Sequence, residues 1–97
     1  MARKMSEESC VDSQAAADSG AAPHSAFGRC GEAGQCECPG WPGPDMATTV
    51  QACIDAMWAA GPGEGHHDMI ANPGYTAVAC GFALVNGKLW LTQDYYR

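Results

Sequence analysis

The sequence predicts an α+β domain in which a small antiparallel β-sheet packs between helices and disulfides staple the layers together. Three observations carry this. Apolar residues recur with a helical period from Met46 to Trp58, two β-rich runs flank Asn86-Gly87, and six cysteines occur in only 97 residues. A chain this short buries roughly 60–65% of its unfolded surface, so covalent staples matter more than in a larger domain. Six cysteines suit three disulfides in an oxidising compartment, and spacing alone cannot choose among their pairings. The chain reads as one domain, residues 1–97, with 1–5 expected to be disordered and 20–45 irregular.

The first element expected is a helix from Ser6 to Ser19. Ser6 and Ser9 are candidate N-caps, Ala15-Ala16-Ala17 favours helix, and Gly20 is a stop. Its apolar stripe is thin (Met5, Cys10, Val11 and the alanines), so a disulfide at Cys10 would help to hold it. From Gly20 to Asp45 proline and glycine recur without a sustained period. This reads as a loop stapled through Cys30, Cys36 and Cys38, with a short strand between Phe27 and Gln35.

The second helix has the clearest pattern. Asp45 is its N-cap, Met46, Val50, Cys53, Ile54, Met57 and Trp58 share one face, and Gly61-Pro62-Gly63 ends it. After the Asn72-Pro73-Gly74 turn come strands over 76–85 and 88–95, joined by Asn86-Gly87 as a hairpin. In the first strand Ala79, Gly81 and Ala83 alternate with Val78, Cys80, Phe82 and Leu84. One sheet face should therefore carry large side chains while the other lets a helix approach closely.

Charge and hydropathy exclude some partners. The formal charge is -6 and the five basic residues are dispersed, whereas nucleic-acid surfaces need clustered Lys and Arg. No run of eighteen apolar residues marks a membrane span. Met1 to Glu8 carries charges without a following apolar segment, so no signal peptide is visible. Either a signal was removed, or the chain is a fragment, or the protein stays inside; the cysteines favour the first two and with them a secreted or extracellular location.

Candidate chemistry gathers around Glu64-Gly65-His66-His67. These histidines read either as hydrogen-bonded loop or core residues or as ligands, imidazole being a common zinc ligand. Adjacent histidines rarely face one ion, which leaves His67 as a packing residue. The one-residue spacer of Cys36-Glu37-Cys38 suits neither a zinc site nor a redox pair, so these cysteines belong to the disulfide framework. The tryptophans read as core at Trp58 and Trp90, with Trp41 the exposed one.

A resemblance extends over roughly residues 10–97. Ala56-Met57-Trp58-Ala59-Ala60, then Gly65-His66-His67, then Thr76 to Phe82 and Leu89 to Tyr95 resemble the CAP superfamily of cysteine-rich secretory, antigen 5 and pathogenesis-related 1 proteins. His24-Ser25 and Gly31-Glu32 resemble its upstream motifs. The resemblance implies a three-layer α-β-α sandwich with a cavity lined by two histidines and two glutamates. His24, Glu32 and His66 match three of the four. Ala59 and Ala60 stand where the remaining glutamate is expected, with Glu64 as a stand-in; Ala33 replaces an asparagine, and the family's first helix and its entry to the domain are largely missing here. It implies a binding domain whose pocket (His24, Glu32, His66, Glu64) holds a small apolar ligand or a metal, zinc above all, on His24 and His66. Proteins are further expected partners, and a dimer could form through an uncovered sheet face or edge. The rivals are a metal-assisted or Glu/His-assisted hydrolase using Glu32, His24 and His66, with Glu32 and His66 the catalytic candidates, and a scaffold without pocket activity. One disulfide set that joins the elements is Cys38–Cys53 with Cys30–Cys80, leaving Cys10 and Cys36 to pair or stay reduced.

Overall fold

The computed structural model describes residues 7–43 and 45–97. In chain order they form α1 (Glu7–Ser19), β1 (Gly34–Pro42), α2 (Met46–Ala59), α3 (Gly65–Ala71), β2 (Ala77–Val85) and β3 (Lys88–Tyr96). The sheet is antiparallel in the order β1-β3-β2, so the fold class is α+β as the sequence predicts. The disorder expected for 1–5 and the Ser6 cap fall outside the described residues.

Local signals were obeyed where they were strong. Asn86 and Gly87 both take positive φ, 53° and 74°, the geometry of a two-residue turn that matches strand twist. Val85 then pairs with Lys88, and the register holds to Ala77 opposite Tyr96. α2 starts at its predicted cap, where Asp45 accepts a hydrogen bond from the Thr48 amide at 2.8 Å. Its buried stripe is Thr49, Cys53 and Met57, narrower than the sequence predicts. Trp58, expected to be buried, is 51% exposed. It stacks on His67 with ring centroids 4.0 Å apart, so α3 rather than the core receives it. Trp41, expected to be exposed, is half-buried against the core.

β1 corrects the sequence reading. The strand expected between Phe27 and Gln35 instead starts at Gly34 and runs to Pro42, inside the stretch read as irregular. Pro39 and Gly40 hide it, because they form a bulge: the register passes from Cys38 opposite Leu91 to Trp41 opposite Leu89. An edge strand tolerates a proline, whose missing N–H breaks no ladder bond on the solvent side. α3 was also unforeseen. Its seven residues are too few to display a helical period.

Strand alternation gives the sheet two unlike faces. Cys36, Cys38, Leu89, Leu91 and Tyr95 point to one face and form the core with Cys53 and Met57 of α2, while Met69 and Ile70 of α3 pack alongside. Gln35, Glu37, Thr92 and Asp94 alternate with them and lie buried beneath α1. On β2 the small residues face α1, as predicted. A Cβ at Gly81 would overlap the backbone of Val11, so this glycine sets how closely the helix docks. The Phe82 amide, on the outer side of β2, donates to Asp12 Oδ1 of α1 at 2.9 Å, closing part of that sheet edge.

Two disulfides join these layers. Cys38–Cys53 ties β1 to α2, as one of the suggested pairings requires. The other suggestion, Cys30–Cys80, is overturned: Cys30 bonds Cys10 of α1. The reason is the alternation just described, since Cys80 faces away from α1. Cys36 and Cys80 keep their thiols. Both lie opposite Gln93, one on each side of β3. They are therefore about 10 Å apart by strand spacing, beyond the reach of a disulfide. Replacing Cys38 and Cys53 together by alanine should lower stability by about 3 kcal/mol, measured by urea unfolding. An unchanged midpoint would show that the α2 staple is not a structural support.

Candidate functional site

The polar interior lies between α1 and the sheet. The helix turns Val11, Gln14, Ala15 and Asp18 inward, all at 1% exposure or less. Gln14 and Asp18 sit one turn apart on the same stripe, so the period that docks the helix also buries an amide and an acid. From below come Gln35 and Glu37 of β1 and Thr92 and Asp94 of β3, on alternate positions of neighbouring strands. The loop between α1 and β1 closes the side with Ser25, Ala26 and Glu32. Four carboxyl groups are thus enclosed: Asp18, Glu32, Glu37 and Asp94.

Amides, hydroxyls and backbone N–H groups supply the donors. Gln14 Nε2 donates to Glu32 Oε2 at 2.7 Å and to Ala26 O at 2.8 Å. Gln35 Nε2 donates to Asp94 Oδ1 at 2.7 Å. Ser25 Oγ and the Ala26 amide donate to Asp18 Oδ1 at 2.5 and 3.2 Å. The His24 amide and Thr92 Oγ1 hold Glu37 at 3.0 and 3.3 Å. None of these donors is a cationic side chain. Asp18 Oδ2, Glu32 Oε1 and Asp94 Oδ2 are buried without a hydrogen-bond partner among the described residues, although buried polar atoms are as a rule hydrogen-bonded.

The acids stand in two facing pairs, Asp18 with Glu37 and Glu32 with Asp94. Burial, then the facing partner, pushes Glu37 and Asp94 each up to about 8. Burial also acts to raise Asp18 and Glu32, but the hydrogen bonds from their partners, Ser25 and Gln14 outweigh it and leave both below their ordinary values. Two carboxylates cannot face each other bare in a low-dielectric interior. Below about pH 8 one shared proton per pair answers the problem. A bound cation is the alternative.

A candidate ligand set lies at one pair. Cys30 Sγ and carboxylate oxygens of Glu32 and Asp94 all lie within 4.8 Å of one another. In the disulfide Cys30 carries no charge, so the oxygens are the donors that remain in this state.

The residues singled out by the sequence are divided by the sheet. Glu32 is 7% exposed inside the network. His24, exposed and at φ 64°, donates from Nδ1 to Gln35 Oε1 at 2.7 Å, on the same side. His66 is an exposed residue of α3, which packs on the opposite face, and Glu64 is the exposed N-cap of that helix without a side-chain cap bond. His67 donates from Nδ1 to Trp58 O at 2.8 Å. Sequence reasoning missed Asp18, Glu37 and Asp94. Their signal was visible: Gln35/Glu37 and Thr92/Asp94 are polar at a period of two, and such a pattern ordinarily marks a solvated face.

The other face holds apolar surface that α2 and α3 leave uncovered. Val78 and Leu84 of β2 are 50% and 62% exposed, with Phe82 half-buried between them. A cleft of about 190 Å³ lies at one end of this strip, beside Trp41, Met46 and Leu84. A second, of about 220 Å³, lies at the other end beside Ile70, Tyr75 and Val78. Among the described residues no helix is long and apolar enough to cross a membrane. Set against protein-family models, curated proteins and solved structures, the chain gives no match.

Proposed function

We propose that the protein is a secreted, non-catalytic binding domain that takes up a divalent cation at the Glu32–Asp94 pair. The observation that carries this is that Glu32 and Asp94 face each other while Glu32 Oε1 and Asp94 Oδ2 are buried with no donor among the described residues. Carboxylate oxygens suit hard cations, and two of them completed by backbone carbonyls or water make a weak site of the Ca²⁺ class, with a Kd on the order of 1 mM. Such an affinity fits an extracellular module, and the two disulfides suit that compartment. The hydrolase reading is disfavoured by access: Asp94 is fully buried and Glu32 nearly so, and a substrate must reach a general base. The resemblance to the CAP superfamily, a proposal for this chain, also favours binding over turnover.

Cation and proton compete for the same gap, so the test belongs above the Asp94 value, at about pH 9. There about 10 mM Ca²⁺ should add roughly 1.4 kcal/mol to stability, a rise in melting midpoint of about 7 °C. Asp94→Asn places an amide N–H against Glu32 and should abolish the rise while keeping the fold. An equal rise in wild type and Asp94→Asn would overturn the assignment. The uncovered Val78–Leu84 strip favours a second reading, a small apolar ligand in the adjoining clefts. Saturable binding of an apolar fluorophore, lost in Leu84→Asp and indifferent to Ca²⁺, would support that reading instead.

A further inference from the structure

We infer that reductive cleavage of the Cys10–Cys30 disulfide converts the Glu32–Asp94 pair into a zinc site with Cys30 as its sulfur ligand. This rests on the reading above only in taking Glu32 and Asp94 as ligands. Three observations lead to it. Cys30 Sγ, Glu32 and Asp94 already converge within 4.8 Å. Glu32 Oε1 and Asp94 Oδ2 are buried and have no hydrogen-bond partner among the described residues, with their residues 7% and 0% exposed. The bond that occupies Cys30 runs to α1, whose hold on the sheet also depends on packing at Val11, Ala15 and Gly81.

The chemistry is distinct from that of the oxidised state. A dithiol reductant supplies two electrons and two protons, the S–S bond breaks, Cys10 and Cys30 become thiols, and the reductant leaves as its own disulfide. Zinc then binds the Cys30 thiolate and the two carboxylates, and the thiol proton and any proton shared by the pair pass to solvent. Water completes a tetrahedral set. With Zn–S near 2.3 Å and Zn–O near 2.0–2.2 Å, neighbouring ligand atoms stand roughly 3.4–3.7 Å apart. Separations that are at most 4.8 Å need contract by no more than about 1.4 Å, within the reach of a rotamer change once Cys30 is released from Cys10. A hard-cation site thereby becomes a borderline-soft one, since a thiolate selects zinc over calcium. Reduction thus changes which metal the same two carboxylates hold.

Cys10→Ser leaves Cys30 as a thiol without any reductant, and Co²⁺ reports on its ligands as a stand-in for zinc. Cys10→Ser with Co²⁺ should show thiolate-to-metal charge-transfer absorption and tetrahedral d–d bands, both erased by added Zn²⁺. Oxidised wild type should show neither. Cys10→Ser/Cys30→Ser should lose the charge-transfer band, and Cys10→Ser/Asp94→Asn should bind at least about tenfold more weakly. If Cys10→Ser is unfolded on its own, zinc should restore its circular dichroism. Absence of the band together with no such recovery overturns the proposal. So does a band that survives in Cys10→Ser/Cys30→Ser, because the sulfur would then be Cys36 or Cys80 on the other face. Failure of the calcium reading is separate: it appears in oxidised wild type, which contains no Cys30 thiol.

Discussion

Replacing Gly81 with alanine is expected to be among the most damaging single-methyl additions in the chain, lowering stability by about 3 kcal/mol. The added Cβ overlaps Val11 C and O and comes within 2.5 Å of the Asp12 amide nitrogen. These are backbone atoms, so no flexible side chain can give way and α1 must lift from the sheet. Gly87 provides the contrast. It takes φ 74° with open space around its Cβ position, so its alanine variant carries only a conformational penalty of about 1 kcal/mol. Urea unfolding of both variants separates steric from conformational need. Equal losses would refute close helix docking as the role of Gly81. Lifting α1 also removes Gln14 and Asp18 from the acid network, so Gly81→Ala should expose the cluster to solvent and blunt the pH dependence described next.

Stability should fall as pH rises from about 4 to about 8, the reverse of what most paired carboxylates produce. Glu37 and Asp94 titrate at about 8 in the folded protein, against ordinary values of 4.5 and 3.8. Between those limits the native state holds protons that the unfolded chain has released, and each excess proton lowers stability by about 1.4 kcal/mol per pH unit. The stabilisation from these two groups is complete below pH 4 and lost as pH passes 8. Asp18 and Glu32, held below their ordinary values, act in the opposite sense: their contribution is present above about pH 4 and lost on acidification. The maximum therefore falls near pH 4–5. Glu37→Gln/Asp94→Asn keeps a neutral donor in each pair at every pH. Its stability should be nearly flat from pH 5 to 9, close to wild type at the lower end and above it at the upper end. Denaturant midpoints at about pH 5, 7 and 9 decide this, and a wild-type profile that rises toward pH 9 would remove the shared protons from the site.

The candidate site was half legible. Glu32 and His24 were singled out and do meet one network, through Gln14 and Gln35. His66 and Glu64 were expected in the same pocket, yet they belong to α3 and its cap on the far side of the sheet. Motif order carries no information about which face of a sheet a later helix will choose. Asp94 is not marked by the sequence, because Leu89-Trp90-Leu91-Thr92-Gln93-Asp94-Tyr95 reads as a strand with one wet face. Only α1, some seventy residues earlier in the chain, makes that face dry.

What the sequence by itself determined was local. The Asn86-Gly87 turn, the Asp45 cap, the span of α1 and the small-residue face of β2 follow from backbone preferences and side-chain size within a few residues. Tertiary structure decided the rest: that the bulged segment from Gly34 to Pro42 completes the sheet, that Cys30 meets Cys10 rather than Cys80, and that four acids share a dry interior. These outcomes depend on which distant segment covers which face. A carboxylate reads as a surface residue until a helix is placed over it, and its altered proton affinity then comes from burial and from the second carboxylate that the fold sets opposite.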